Sequence, residues 1–73
     1  MMKYFKSDSH TSYFRYDPQG TKTVEIYLRG RWQSTHYVDE EDVIRCFSTF
    51  EGIITSITEE EITTYLTMRE LIS

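Results

Sequence analysis

Thr23-Val24-Glu25-Ile26-Tyr27-Leu28-Arg29-Gly30-Arg31-Trp32-Gln33-Ser34-Thr35-His36, residues 23–36, decides the fold. Val24, Ile26 and Leu28 alternate with Glu25 and Tyr27, the two-residue period of a strand with one face buried. Arg29-Gly30 breaks the alternation and Trp32 to His36 resumes it, so the stretch reads as a β-hairpin. Two registers fit. A two-residue turn at Arg29-Gly30 pairs Tyr27 with Trp32, on the face away from Val24 and Ile26. A three-residue loop, Leu28-Arg29-Gly30 with glycine left-handed, pairs Ile26 with Trp32. The second is preferred, because it places the only tryptophan on the apolar face, where a small core needs its area.

Upstream the chain also reads as strand. Tyr4-Phe5-Lys6 opens a short one, and Ser12 to Tyr16 is aromatic and of high β propensity. Asp17-Pro18-Gln19-Gly20 between the strands is a turn: proline presets φ and glycine accepts dihedrals that other residues refuse.

Downstream the chain reads as two helices that begin alike. Val38 precedes Asp39 as N-cap, followed by Asp42 and Val43; Ile57 precedes Thr58 as N-cap, followed by Glu61 and Ile62. Each cap faces an acid three residues on, and each apolar residue before a cap can pack on the fourth helical residue. Glu40, Glu41, Glu59 and Glu60 crowd the first turns, where the helix dipole favours negative charge. Val43, Cys46, Phe47 and Phe50 share one face of the first helix, which stops at Gly52. Ile62, Tyr65, Leu66 and Ile72 line the second, with Arg69 in the stripe, its stem over apolar surface and its head in water. Residues 53–57 fit either an extended connector between the helices or a short extra strand, and the connector is preferred.

Strands followed by helices, without βαβ alternation, give an α+β fold. The expectation is an antiparallel three- to four-stranded β-meander followed by two α-helices packed on one face of the sheet, in a single domain over residues 1–73. The expected core is Phe14, Tyr16, Val24, Ile26, Trp32, Val43, Phe47, Phe50, Ile54, Ile57, Ile62 and Leu66.

Composition excludes several common devices. Cys46 is the only cysteine, so no internal disulfide forms, and with two histidines no four-ligand Cys/His zinc site can be assembled. Neither a signal-peptide pattern nor an apolar run of the roughly 20 residues that cross a bilayer is visible. A cytoplasmic, soluble chain with no membrane association and no cofactor is the expectation.

Catalytic groupings also fail on geometry. Cys46 with His36 or His10 has the residue types of a nucleophile and base, but Cys46 falls among apolar neighbours, where a thiol is inert packing. Ser7-Asp8-Ser9-His10 has the residue types of a hydrolase triad, yet adjacent residues do not converge on one reacting atom, and the run reads as a polar turn. The runs Asp39-Glu40-Glu41-Asp42 and Glu59-Glu60-Glu61 lack calcium-loop spacing and its glycine; capping accounts for them. Arg29-Gly30-Arg31 lacks the spacing of a phosphate-binding loop and is a hairpin tip. The reading is therefore not an enzyme.

Charge and aromatics supply the functional expectation. Residues 1–36 carry six bases against three acids, a net +3, and residues 37–73 two bases against nine acids, a net −7. If both helices cover the apolar face, the other face lies open and presents Tyr13, Arg15, Tyr27, Arg31 and Gln33, with Glu25 among them. Tyrosine and arginine are favoured at protein interfaces. These five are the expected contacts of a small interaction module that binds a protein partner or forms a homo-oligomer through this face and an exposed strand edge. Single-stranded nucleic acid on the same face is the alternative, disfavoured by the net charge of −4. The RNA-recognition motif has such a platform, but this chain has neither its βαββαβ order nor its strand signature.

Overall fold

The computed structural model describes residues 1–9 and 12–72, the last of these by its backbone alone. His10 and the side chain of Ile72 therefore lie outside the described residues. The elements in chain order are β1 (Lys3–Ser7), β2 (Tyr13–Tyr16), β3 (Glu25–Leu28), β4 (Arg31–Ser34), α1 (Glu40–Glu51), β5 (Ile54–Ile57) and α2 (Glu59–Ile72). The fold is α+β, with all five strands in one antiparallel sheet of order β4-β3-β2-β1-β5.

The sheet holds five strands rather than three or four because residues 54–57, expected to be a connector, form β5. Its pairing, Tyr4 with Ile57 through Ser7 with Ile54, places it beside β1 at the far edge from β4. The Asp8 N–H donates to the Ile53 carbonyl at 2.9 Å and continues that ladder.

The hairpin takes the register that the sequence reading set aside. Leu28 pairs with Arg31 and Tyr27 with Trp32. Arg29 and Gly30 both have positive φ, 53° and 83°, the geometry of a two-residue type I′ turn, whose twist matches that of the strands. Trp32 therefore stands with Tyr27, away from Ile26.

The pleat separates two cores. Phe5, Phe14 and Ile26 face one side, joined by Val24, Ile54 and the α1 residue Val43, with Tyr16, Tyr37 and Phe47 around them. Tyr13 and Tyr27 face the other side and are buried against Ile62 of α2, with Tyr4, Trp32, Ile57, Tyr65 and Leu66 around them. The helices thus lie on opposite faces of the sheet, not together on one. The reason is chemical. Tyrosine and tryptophan have large apolar bodies with one polar atom each, so a face lined with them gains as much from a covering helix as an aliphatic face does.

The helix boundaries follow from local signals. The Asp39 carboxylate accepts the Asp42 N–H at 3.0 Å and opens α1; Gly52, with φ of 80°, closes it. At α2 the capping box is reciprocal: Thr58 Oγ1 accepts the Glu61 N–H at 3.1 Å, and Glu61 Oε1 accepts the Thr58 N–H at 3.3 Å. Thr63, Thr64 and Thr67 donate their hydroxyls to carbonyls four residues back, so these threonines serve the helix itself.

Two α1 expectations are corrected. Phe50 shares the helical face of Val43 and Phe47 but is 86 % exposed, because it lies in the last turn, where no sheet underlies it. Cys46, expected in the core, is also exposed. The Tyr37 hydroxyl meets its sulfur, and that hydrogen bond, then burial, pushes the Tyr37 phenol up from its ordinary value.

Candidate protein interface

The five residues expected to form an open face are not brought together. Tyr13 and Tyr27 lie under α2, 3 % and 7 % exposed. The Tyr13 ring stacks on Tyr65 with centroids 6.2 Å apart. Burial pushes its hydroxyl up, against the opposing pull of Arg69. Tyr27 donates to Glu70 Oε1 at 2.7 Å, and that bond, then burial, raises its pKa. Arg15 shares their face but is half-buried: its Nε donates to Glu25 Oε1 at 2.8 Å, and its guanidinium lies 4.5 Å from the Trp32 ring centroid. The Tyr27–Trp32 register turns Arg31 and Gln33 to the opposite side, with Leu28 and Ile26. Both are exposed there, and Gln33 Nε2 donates to the Leu28 carbonyl at 3.3 Å. The cations and rings of the first half of the chain are thus used inside the fold, on two different faces.

What the structure leaves uncovered is an edge. The strand order makes β4 and β5 the two rims of the sheet. The β4 rim is guarded by charge: Arg29 lies in the turn that leads into it and Arg31 begins it. Soluble proteins commonly block strand edges with charge, proline or a bulge. The β5 rim has no such guard. Residues 52–58, Gly-Ile-Ile-Thr-Ser-Ile-Thr, contain no charge and no proline, and five of the seven are β-branched. This is the composition of segments that pair with further strands.

Ladder alternation fixes which backbone groups face outward. In an antiparallel pair, alternate residues turn both N–H and C=O to the same neighbour. The Ile53 carbonyl accepts from Asp8 on β1, so Thr55 and Ile57 also bond towards β1, while Ile54 and Ser56 direct theirs away from the sheet. Ile53, which leads into this strand, is 67 % exposed, and the side chains of Thr55 and Ser56 are exposed as well.

A polar cluster anchors the rim. The Ser7 N–H donates to the Ser12 carbonyl at 3.0 Å, and the Ser12 N–H returns to Ser7 Oγ at 3.1 Å. Ser12 Oγ donates to Glu51 Oε1 at 2.8 Å. Ser7 and Ser12 are buried, so the bonds between these two are made out of water, where they hold best. The cluster ties the end of α1 to the β1–β2 hairpin and thereby fixes where Gly52 releases the chain into β5.

The sequence reading expects an exposed strand edge without locating it here, because it prefers a connector for these residues. The signal was present in the charge-free run at 52–58 between acidic Glu51 and Glu59. Among the described residues no group of three or more His, Cys, Asp or Glu is placed to share a metal ion, and no helix is long and apolar enough to cross a membrane. The chain matches no protein-family model, no curated protein and no solved structure.

Proposed function

We propose that the chain is a small, non-enzymatic, cytoplasmic interaction module that engages a protein by adding a strand to β5. One observation carries this reading: an exposed sheet edge without charge or proline, entered through the exposed Ile53. In strand addition, main-chain hydrogen bonds supply affinity and alternate side chains supply selectivity. The outward groups of Ile54 and Ser56 offer the former, and the exposed Ile53 the latter. The surface expected from sequence, Tyr13, Arg15, Tyr27, Arg31 and Gln33, gives way to this rim because its rings are occupied by α2 and its central cation by Glu25.

The test is affinity capture from cell extract with wild type and Thr55→Glu, followed by mass spectrometry. Thr55 is exposed and pairs with Lys6 on β1, so a glutamate there gains an opposite charge beside it while placing an anion on the rim. Proteins bound by wild type are expected to be lost with Thr55→Glu. The same bound set with both proteins overturns the reading.

A further inference from the structure

We infer that the occupant of the β5 edge is a second copy of this chain, joined about a two-fold axis through Thr55. This deepens the interaction reading and rests on it. The register follows from the outward groups. In an antiparallel pairing, hydrogen-bonded positions must be outward-facing on both strands. With Thr55 opposite the partner copy's Thr55, each Ile54 meets a Ser56, both outward-facing. The Ile54 N–H donates to the Ser56 carbonyl, the Ser56 N–H donates to the Ile54 carbonyl, and symmetry repeats the pair. The same register sets Ile53 directly across from Ile57. It thus covers the 67 % exposed Ile53 side chain with the apolar residue that closes the strand.

Charge within the strand permits a second copy. A strand pairs with itself only if no charge meets its own image, because like charges directly opposite are destabilising. Between Gly52 and Thr58 there is none. An isologous contact closes on itself, so one dimer uses up both edges and the sheets of the two copies become continuous. The strand is four residues long, so the contact is small and the dimer weak and concentration-dependent. The segment is bracketed by Glu51 and Glu59, and each copy carries a net charge of −4. The dimer therefore tightens as salt rises, opposite to a dimer held by attraction between a basic and an acidic surface.

Sedimentation equilibrium of the full chain from roughly 10 µM to 1 mM, at low and at high salt, tests this. The expected result is a monomer–dimer equilibrium that strengthens with salt. Thr55→Glu is expected to weaken it at least roughly fivefold, since two anions then face each other across the axis. An equimolar mixture of Thr55→Glu and Thr55→Lys is expected to restore dimer above the level of either variant alone. A purely structural effect of these substitutions would not produce that recovery. A wild-type monomer throughout the range, or a dimer that Thr55→Glu leaves unchanged, overturns the proposal. The two readings separate cleanly. A monomeric wild type that captures a foreign protein, lost with Thr55→Glu, removes the second copy and keeps the interaction module. A monomeric wild type that captures nothing removes both.

Discussion

Tyr27 and Glu70 are joined by a 2.7 Å hydrogen bond, from β3 to the last full turn of α2. The bond crosses forty-three positions and is a polar clasp between α2 and the sheet. Tyr27→Phe keeps the ring and deletes the donor. Hydrogen bonds to charged groups contribute about 1.5–3 kcal/mol; because Glu70 is exposed, a loss of about 1 kcal/mol is expected. Amide exchange is expected to quicken mainly after Leu66, with β1 and β2 unchanged. Uniform loss of protection across the chain would show that the clasp serves the whole fold instead.

The phenols of Tyr13, Tyr27 and Tyr37 are all raised above the ordinary tyrosine value. A raised acid favours the protonated form in the folded state. Its contribution is fully present below the unfolded value near 10 and is lost as pH climbs through the folded value. Urea midpoints are therefore expected to hold flat from about pH 8 to 9.5 and fall above pH 10. In Tyr27→Phe the alkaline fall is expected to be shallower. An identical slope in the two proteins would remove Tyr27 from the cause.

The β3–β4 turn asks a left-handed φ of Arg29, a conformation costing a side-chain-bearing residue roughly 1 kcal/mol. Asparagine tolerates it better and precedes glycine in the favoured type I′ pair. Arg29→Asn is expected to raise Tm by a few degrees, the size of shift that about 0.5–1 kcal/mol produces in a chain of this length. Gly30→Ala is expected to lower it. No atom lies within 4 Å of an added Cβ at Gly30, so that loss reports backbone strain alone.

Phe14 and Phe50 separate core from overhang. Phe14 is fully buried, with its ring 4.9 Å from that of Phe47. Phe14→Ala is expected to cost about 3–5 kcal/mol; small domains have little reserve, and its circular dichroism should show an unfolded or barely folded chain. Phe50→Ser is expected to stay within about 0.5 kcal/mol of wild type. Comparable losses from both substitutions would place Phe50 in the core after all.

Local features were legible in the sequence and distant ones were not. Asp39 and Thr58 mark helix starts through bonds reaching only three residues, and Gly52 marks an end through its own φ, so local composition announces them. The turn at Asp17-Pro18-Gln19-Gly20 was legible for the same reason; the Gly20 N–H reaches the Asp17 carbonyl at 3.1 Å. The strand at Ile54 was hidden because its partner, β1, lies near the other end of the chain. Assigning Trp32 to the wrong face had one cause: a small chain was expected to have one core, and its amphipathic rings build a second. Phe50 shows a further limit of periodicity, which gives the direction of a side chain but not whether anything lies beneath it. The interaction face failed with the Trp32 assignment, since Tyr13, Arg15 and Tyr27 were read as exposed on the premise of one covered face.

The placement of β1 between β2 and β5 bears on how the protein is made. Ser7 finds Ile54, and Tyr4 finds Ile57, each across about fifty positions, a separation that slows closure. During synthesis the meander of the first four strands emerges from the ribosome well before its fifth member. Until residues 54–57 follow, the outer side of β1 is itself a bare rim. Ribosome-bound chains stalled before that point are the species most exposed to mispairing, and slower translation through the α1 codons would lengthen that interval.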